Sequence, residues 1–308
     1  MSPRLLGIGG AHSDRLGRVG GPFIPGASNP GAMRETTGGG VFNALRTAMR
    51  LDVSASLISV RGGDAAGQSV EAALQASGIA DGSAVFLDRR TASYTAILSQ
   101  DGDVIAALAD MAIYDAQFAR SLRRKSARTL LAAADAVIID ANLPEAAIAQ
   151  VFDRAPVHAI AVSPAKAVRL RGYLGQLETL FMNRREAAAL TGLAENADAS
   201  ALISALSALG LRQGVITNGA GPVAAFSGAG TLSLIPPPTS TPEDVTGAGD
   251  ALAGAAVAAL ANGMAFAEAL RRGIAAATLA LRHAGAAADF TPAEFSAMLD
   301  RIGQPTAN

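Results

Sequence analysis

The chain of 308 residues has no cysteine and no tryptophan, only three histidines, and aromatic residues make up 4% of it. Without thiols there is no disulfide, no thiolate nucleophile and no cysteine-held metal. His12, His158 and His283 show no ligand spacing of the HExxH kind, so any metal must be held by oxygens. Excess charge of one sign is missing too. Lys and Arg number 25 against 26 Asp and Glu, and the basic residues are scattered, which disfavours nucleic acid as a partner. No apolar run reaches the roughly 20 residues of a membrane span. The most apolar stretch, after Asp250, is mostly alanine and breaks at Asn262-Gly263. Polar residues follow Met1 too soon for a signal peptide. A cytoplasmic protein without membrane contact is expected. With 50% hydrophobic and 17% charged residues, the composition suits a well-filled folded unit.

Short apolar runs at 5–8, 56–60, 136–140, 158–162, 179–182 and 214–217 end in turn residues and alternate with helical patterns at 40–50, 68–77, 184–191 and 199–209. Runs apolar throughout read as strands buried on both faces. The alternation predicts an α/β fold: a mostly parallel central sheet covered by helices on both sides, with ligands at the carboxyl ends of the strands. Two stretches break the rhythm. Residues 84–109 alternate as strands do around a hairpin signal at Gln100-Asp101-Gly102-Asp103, and residues 14–37 are rich in Gly and Pro, which suits short strands with sharp turns. Together they predict a small antiparallel sheet projecting from the main body as a lid. One domain over 1–308, with the lid drawn from about 12–37 and 84–112, is expected rather than two.

The most informative segment is Asp244-Val245-Thr246-Gly247-Ala248-Gly249-Asp250, followed by an alanine-rich helical run. It is neither of two familiar phosphate loops. A P-loop needs Lys and Ser/Thr after its second glycine, where Ala255 and Ala256 stand, and a GxGxxG fingerprint beginning at Gly7 meets His12 at its last position. A plain loop and helix cap would leave the same pattern. The chemical reading makes Gly247, Ala248 and Gly249 an amide cradle for developing phosphoryl charge, with Asp250 taking the proton of an attacking hydroxyl. A helix N-terminus is expected to lower the pKa of Asp250 and so weaken it as a base.

This segment resembles the C-terminal signature of the PfkB/ribokinase family of carbohydrate and nucleoside kinases. Gly38-Gly39-Gly40-Val41-Phe42-Asn43 is similar to the family's glycine signature, and Asn183-Arg184-Arg185-Glu186 to its N-x-x-E motif. The resemblance implies a ribokinase-like three-layer α/β/α sandwich with a β lid, and ATP and Mg2+ as cofactors. It implies Asp250 as catalytic base, Gly247, Ala248 and Gly249 as anion hole, and Asn183 with Glu186 as the pair that organises Mg2+ through water. Thr217 and Gly219 resemble the family's T-x-G loop for ATP, and Asp244 and Thr246 its monovalent-cation site, implying K+. His12-Ser13-Asp14 resembles a G-x-x-N-x-D segment with His12 in place of the usual Asn. Asp14, Gly39, Asn43 and Asn142 are then the substrate side, and Asp14 with Asn43 suits a vicinal diol. Ser28-Asn29-Pro30-Gly31, Thr91-Ala92-Ser93-Tyr94 and Asp140-Ala141-Asn142-Leu143 resemble the pseudouridine kinase branch. No strong aromatic stacker is expected near Asp14, which keeps a plain sugar or another nucleoside such as adenosine as alternatives, beside a non-catalytic regulator on the same fold. Pairing of two copies through the lid's unpaired strand edges is a further expectation.

Overall fold

The computed structural model describes residues 2–236, 247–282 and 288–307. Ten strands form one sheet, in the order Thr306–Ala307, Gly230–Leu234, Val223–Ser227, Gly214–Thr217, Thr179–Asn183, Val157–Ile160, Ala136–Asp140, Arg4–Ile8, Ser54–Ile58, Ala80–Asp81. From Gly214–Thr217 to Ala80–Asp81 every pairing is parallel, and the strands beyond Gly214–Thr217 run antiparallel. The apolar runs explain this burial. Ala136 to Asp140 are all buried, with Ile138 packing into one core and Ile139 into the other. A strand with no solvent face requires helices on both sides.

The two helical layers differ. On one side Gly40–Ala48, Ala248–Ala261 and Phe266–Ala280 pack through alanine and glycine; on the other Ala112–Ser121, Arg184–Thr191 and Ala199–Ala208 pack through larger side chains such as Phe118, Leu190 and Leu206. Small residues let backbones approach. A Cβ at Gly254 would lie 2.1 Å from the Ala44 carbonyl oxygen, so the helix of Asn43 and the helix of Asp250 touch main chain to main chain.

A second, four-stranded sheet has the order Gly31–Gly38, His12–Val19, Ser93–Leu98, Val104–Asp110. Its hairpin lies at the predicted place, with Ser93–Leu98 antiparallel to Val104–Asp110, but His12–Val19 and Ser93–Leu98 are parallel. Two differences from the sequence reading stand out. Ala84–Phe86 pairs with Val60–Gly62 as a separate ribbon rather than joining this sheet, and the run expected at 56–60 divides into Ser54–Ile58 and Val60–Gly62. Apolar alternation marks strands without naming their partners.

Candidate active site

Asp140 ends a central strand and is fully buried. Its Oδ2 accepts from the Gly10 amide at 2.9 Å and the Val41 amide at 3.2 Å, while Oδ1 accepts from the Asn142 amide at 2.9 Å. A buried carboxylate persists only when bonded in this way. Asp140 thereby gathers three segments at the carboxyl end of the sheet.

One of them is the helix Gly40–Ala48, capped by Gly39 at φ +124°. It presents Asn43, whose Nδ2 donates to Asp250 Oδ2 at 2.9 Å. Asn43 is buried, and among the described residues its Oδ1 has no hydrogen-bond partner. Such an orphaned acceptor is costly unless a ligand donor meets it.

Asp250 stands in the first turn of Ala248–Ala261, after Gly247 at φ +83°. No side chain caps this helix, and its first main-chain bond is Ala251 N to Gly247 O at 2.8 Å. The amides of Ala248, Gly249 and Asp250 therefore have no partner within the helix, the arrangement that attracts an anion. The carboxyl of Asp250 is pushed up to about 7. Burial is the main cause; the Asn43 bond opposes it, and the charges of Asp140, Asp14 and Glu186 add to it. The lowering expected from the helix N-terminus is thus overridden, because desolvation outweighs one partial dipole charge. Some surface of Asp250 still opens to the neighbouring pocket.

Across that pocket, of about 270 Å³, lie Asn183, Glu186 and Thr217 together with Gly247, Gly249 and Val162. Asn183 Oδ1 accepts from the Glu186 amide at 2.9 Å and Glu186 Oε2 from the Asn183 amide at 2.8 Å, a reciprocal cap on the helix Arg184–Thr191. Burial holds the Glu186 carboxyl above its usual range, against the Asn183 bonds. Gly219, at φ +57°, follows Thr217 in the next turn but does not line this pocket. A larger cavity of about 510 Å³ is lined by Arg184, Ile203, Ser204 and Asn218; among the described residues no carboxylate lines it and none of its lining is shared with the smaller one.

On the opposite side Asp14 Oδ1 lies 3.2 Å from His12 Nε2, and His12 Nδ1 lies 3.1 Å from the Tyr114 hydroxyl, which also accepts from the Ala11 amide at 3.0 Å. His12, itself buried, thus acts as a strut under Asp14. Tyr114 is fully buried, and desolvation holds its phenol well above the ordinary range.

Two residues near the site were given no site role by the sequence reading. Tyr94 stands in parallel register with Asp14 and is half-buried, its phenol raised by burial and by the Asp14 charge. An aromatic ring therefore does lie beside Asp14, contrary to expectation. Lys166 donates to Asn142 Oδ1 at 2.5 Å. The first is brought to the site only by the register between distant strands, and no local signal marks the second. Asp244, Thr246 and His283 lie outside the described residues.

Residues 14–294 match the model of the pfkB family of carbohydrate kinases. A pseudouridine kinase of Escherichia coli strain K12 is 32% identical over 250 residues, covering 79% of each chain. A solved carbohydrate kinase from Agrobacterium tumefaciens has a TM-score of 0.85 and 42% identity, covering 98% of this chain and 99% of that one. An Arabidopsis thaliana ribokinase complexed with ribose and ATP shares the fold at a TM-score of 0.83 and 20% identity, with 97% and 99% covered.

Proposed function

The chain belongs to the pfkB family of carbohydrate kinases, and is thus a phosphotransferase with an alcohol group as acceptor; from that premise we propose that it transfers the γ-phosphoryl of ATP to the ribose 5'-hydroxyl of pseudouridine. The observation that carries the site assignment is Asp250: a carboxylate poised near neutrality, at a helix start whose amides are open, bonded to an Asn43 that still has a free acceptor. Asp250 takes the hydroxyl proton, and the amides of Ala248, Gly249 and Asp250 stabilise charge on the transferring group. In a loose transition state positioning matters more than base strength.

The Asn183–Glu186 side fits a hard cation. Glu186 is a buried carboxylate with one oxygen outside the cap bonds, and among the described residues no group of three or more His, Asp or Glu side chains converges as direct ligands. That donor set suits Mg2+ retaining its waters, which neutralises phosphate charge when bound. Thr217 completes this wall. K+ at Asp244 and Thr246 belongs to the same reading but falls outside the described residues.

Asp14, braced by His12, accepts from ribose hydroxyls, with Gly39 allowing the close approach and Asn43 supplying a second acceptor. Tyr94 favours a base-bearing acceptor over a bare sugar. The small sheet closes over the acceptor as a lid and excludes water, and its exposed Met33 and Leu108 provide the face on which two copies pair. Light scattering that gives a monomer at working concentration would refute the pairing.

The deciding experiment compares pseudouridine, uridine, adenosine, ribose and fructose at fixed ATP. Pseudouridine should give the highest kcat/KM. A preference for ribose or adenosine refutes the substrate assignment, and tight binding without turnover on any acceptor makes the chain a regulator instead.

A further inference from the structure

At the carboxyl end of the strand Val157–Ile160 the chain makes an unusual turn. Ser163 N donates to Ala161 O at 2.8 Å, closing a three-residue turn around Val162, whose φ is +68°. A β-branched residue at positive φ is a genuine outlier, and such turns cluster where a site dictates the direction of the chain. Val162 also lines the pocket of Asp250. Immediately after it, the short helix Pro164–Ala167 carries Lys166 back toward the acceptor side.

Lys166 reaches only a neutral partner. Its Nζ donates to Asn142 Oδ1, and no carboxylate forms an ion pair with it among the described residues, whereas the nearby Arg169 has Asp115 at 3.3 Å. Burial lowers the Lys166 pKa, partly offset by the charge of Asp140. Because the oxygen of Asn142 is occupied, its remaining side-chain group is the Nδ2 donor. That Nδ2 lies 3.0 Å from the point where a Cβ on Gly10 would stand, a point also 3.2 Å from His12 Nδ1 and 3.3 Å from Asp140 Oδ2. The absence of a side chain at Gly10 thus lets the Asn142 donor pack close to the main chain there, beside the strut under Asp14.

We propose that Lys166 and Asn142 form the subsite for a ring carbonyl of a pyrimidine base, the turn at Val162 fixing the reach of the lysine. The pair offers donors and no acceptor, so it complements an edge of carbonyl oxygens and not one that presents an amino group. A fully anionic group is disfavoured, because Asp14, Asp140 and Asp250 crowd the same region with negative charge. A neutral, polarised carbonyl meets both conditions. This inference rests on the kinase reading above and deepens it by naming what reads the base.

The test compares kcat/KM for pseudouridine, uridine and ribose in the wild type, Lys166→Met, Lys166→Arg and Asn142→Ala, with folding of each variant checked by its thermal melt. Loss of a hydrogen bond to a charged donor is worth about tenfold or more. The ratio of nucleoside to ribose kcat/KM should therefore fall at least fivefold in Lys166→Met, with partial recovery in Lys166→Arg. A smaller fall, meaning that ribose suffers as much as the nucleosides, overturns the subsite. If Lys166→Met fails to fold, Asn142→Ala carries the same criterion. Wild-type inactivity on pseudouridine alone would sink the assigned reaction, while the ratio taken with uridine still decides the role of Lys166. Inactivity on both nucleosides overturns both.

Discussion

Two helices begin beside the same pocket and treat their N-termini in opposite ways. Arg184–Thr191 closes its own end with the reciprocal bonds of Asn183 and Glu186; Ala248–Ala261 begins at a left-handed glycine with no side-chain cap. In the first, the side chains take the Asn183 and Glu186 amides and bring a buried carboxylate to the pocket wall. In the second, no side chain among the described residues takes the first amides, and a carboxylate of raised pKa stands among them. On the proposed reading one end serves a cation and the other an anion, although both are ordinary helix starts. What distinguishes them is where the side chain of the capping position goes.

The comparison breaks most severely at Asp250. Asp250→Asn should lower kcat by about 10² or more, in line with general-base contributions, and near-normal turnover would remove Asp250 from the reaction. The same substitution should raise the melting temperature at pH 8. The folded-state pKa of about 7 lies above the ordinary aspartate value of 3.8, so the folded state binds the extra proton between those values. Stability linked to this group is present at low pH and lost as pH rises through about 7, and removing the charge restores it. In the wild type, kcat/KM should fall about tenfold per unit below that pKa; a profile flat from pH 5 to 8 would contradict the assignment.

Next in size is a charge placed at the open end. Gly247→Asp should lower kcat/KM for ATP by about tenfold or more, because a carboxylate there repels phosphate and competes for the amides. Gly247→Ala carries only the cost of φ +83°, about 1 kcal/mol of stability. Equal kinetic losses for the two would mean that backbone shape, and not charge, governs this end. At the capped end, Asn183→Ala should cost about 1 kcal/mol of stability, measured by denaturant unfolding. Glu186→Gln keeps an acceptor for the cap, and should therefore raise the Mg2+ requirement with little change in melting temperature. If Glu186→Gln unfolds the protein as readily as Asn183→Ala, the carboxylate serves the helix alone.

Most of the central sheet was legible in the sequence because its strands are apolar throughout. Ala136–Asp140 and Gly214–Thr217 fall where the apolar runs end in Asp140 and Thr217. The antiparallel strands Val223–Ser227 and Gly230–Leu234 were not foreseen; their mixed burial and composition carry no strong period. Glu186 and Asn183 could be placed because capping is local. Tyr94 could not, since its relation to Asp14 exists only through a parallel register between distant strands. Lys166 was hidden further, because its direction depends on Val162 adopting a conformation that valine's own preferences oppose.

The close crossing of Gly254 on Ala44 has a consequence for motion. The two helices that carry Asn43 and Asp250 meet backbone to backbone, with no side chain between them to yield or repack. The Asn43 amide and the carboxylate to which it donates therefore belong to one rigid block. They keep their spacing through a catalytic cycle as two teeth of a single gear do. On the proposed reading, whatever opens to admit the acceptor must move relative to this block and cannot divide it, which leaves the outer strands of the small sheet, beyond the His12–Tyr114 strut that holds Asp14, as the part that travels.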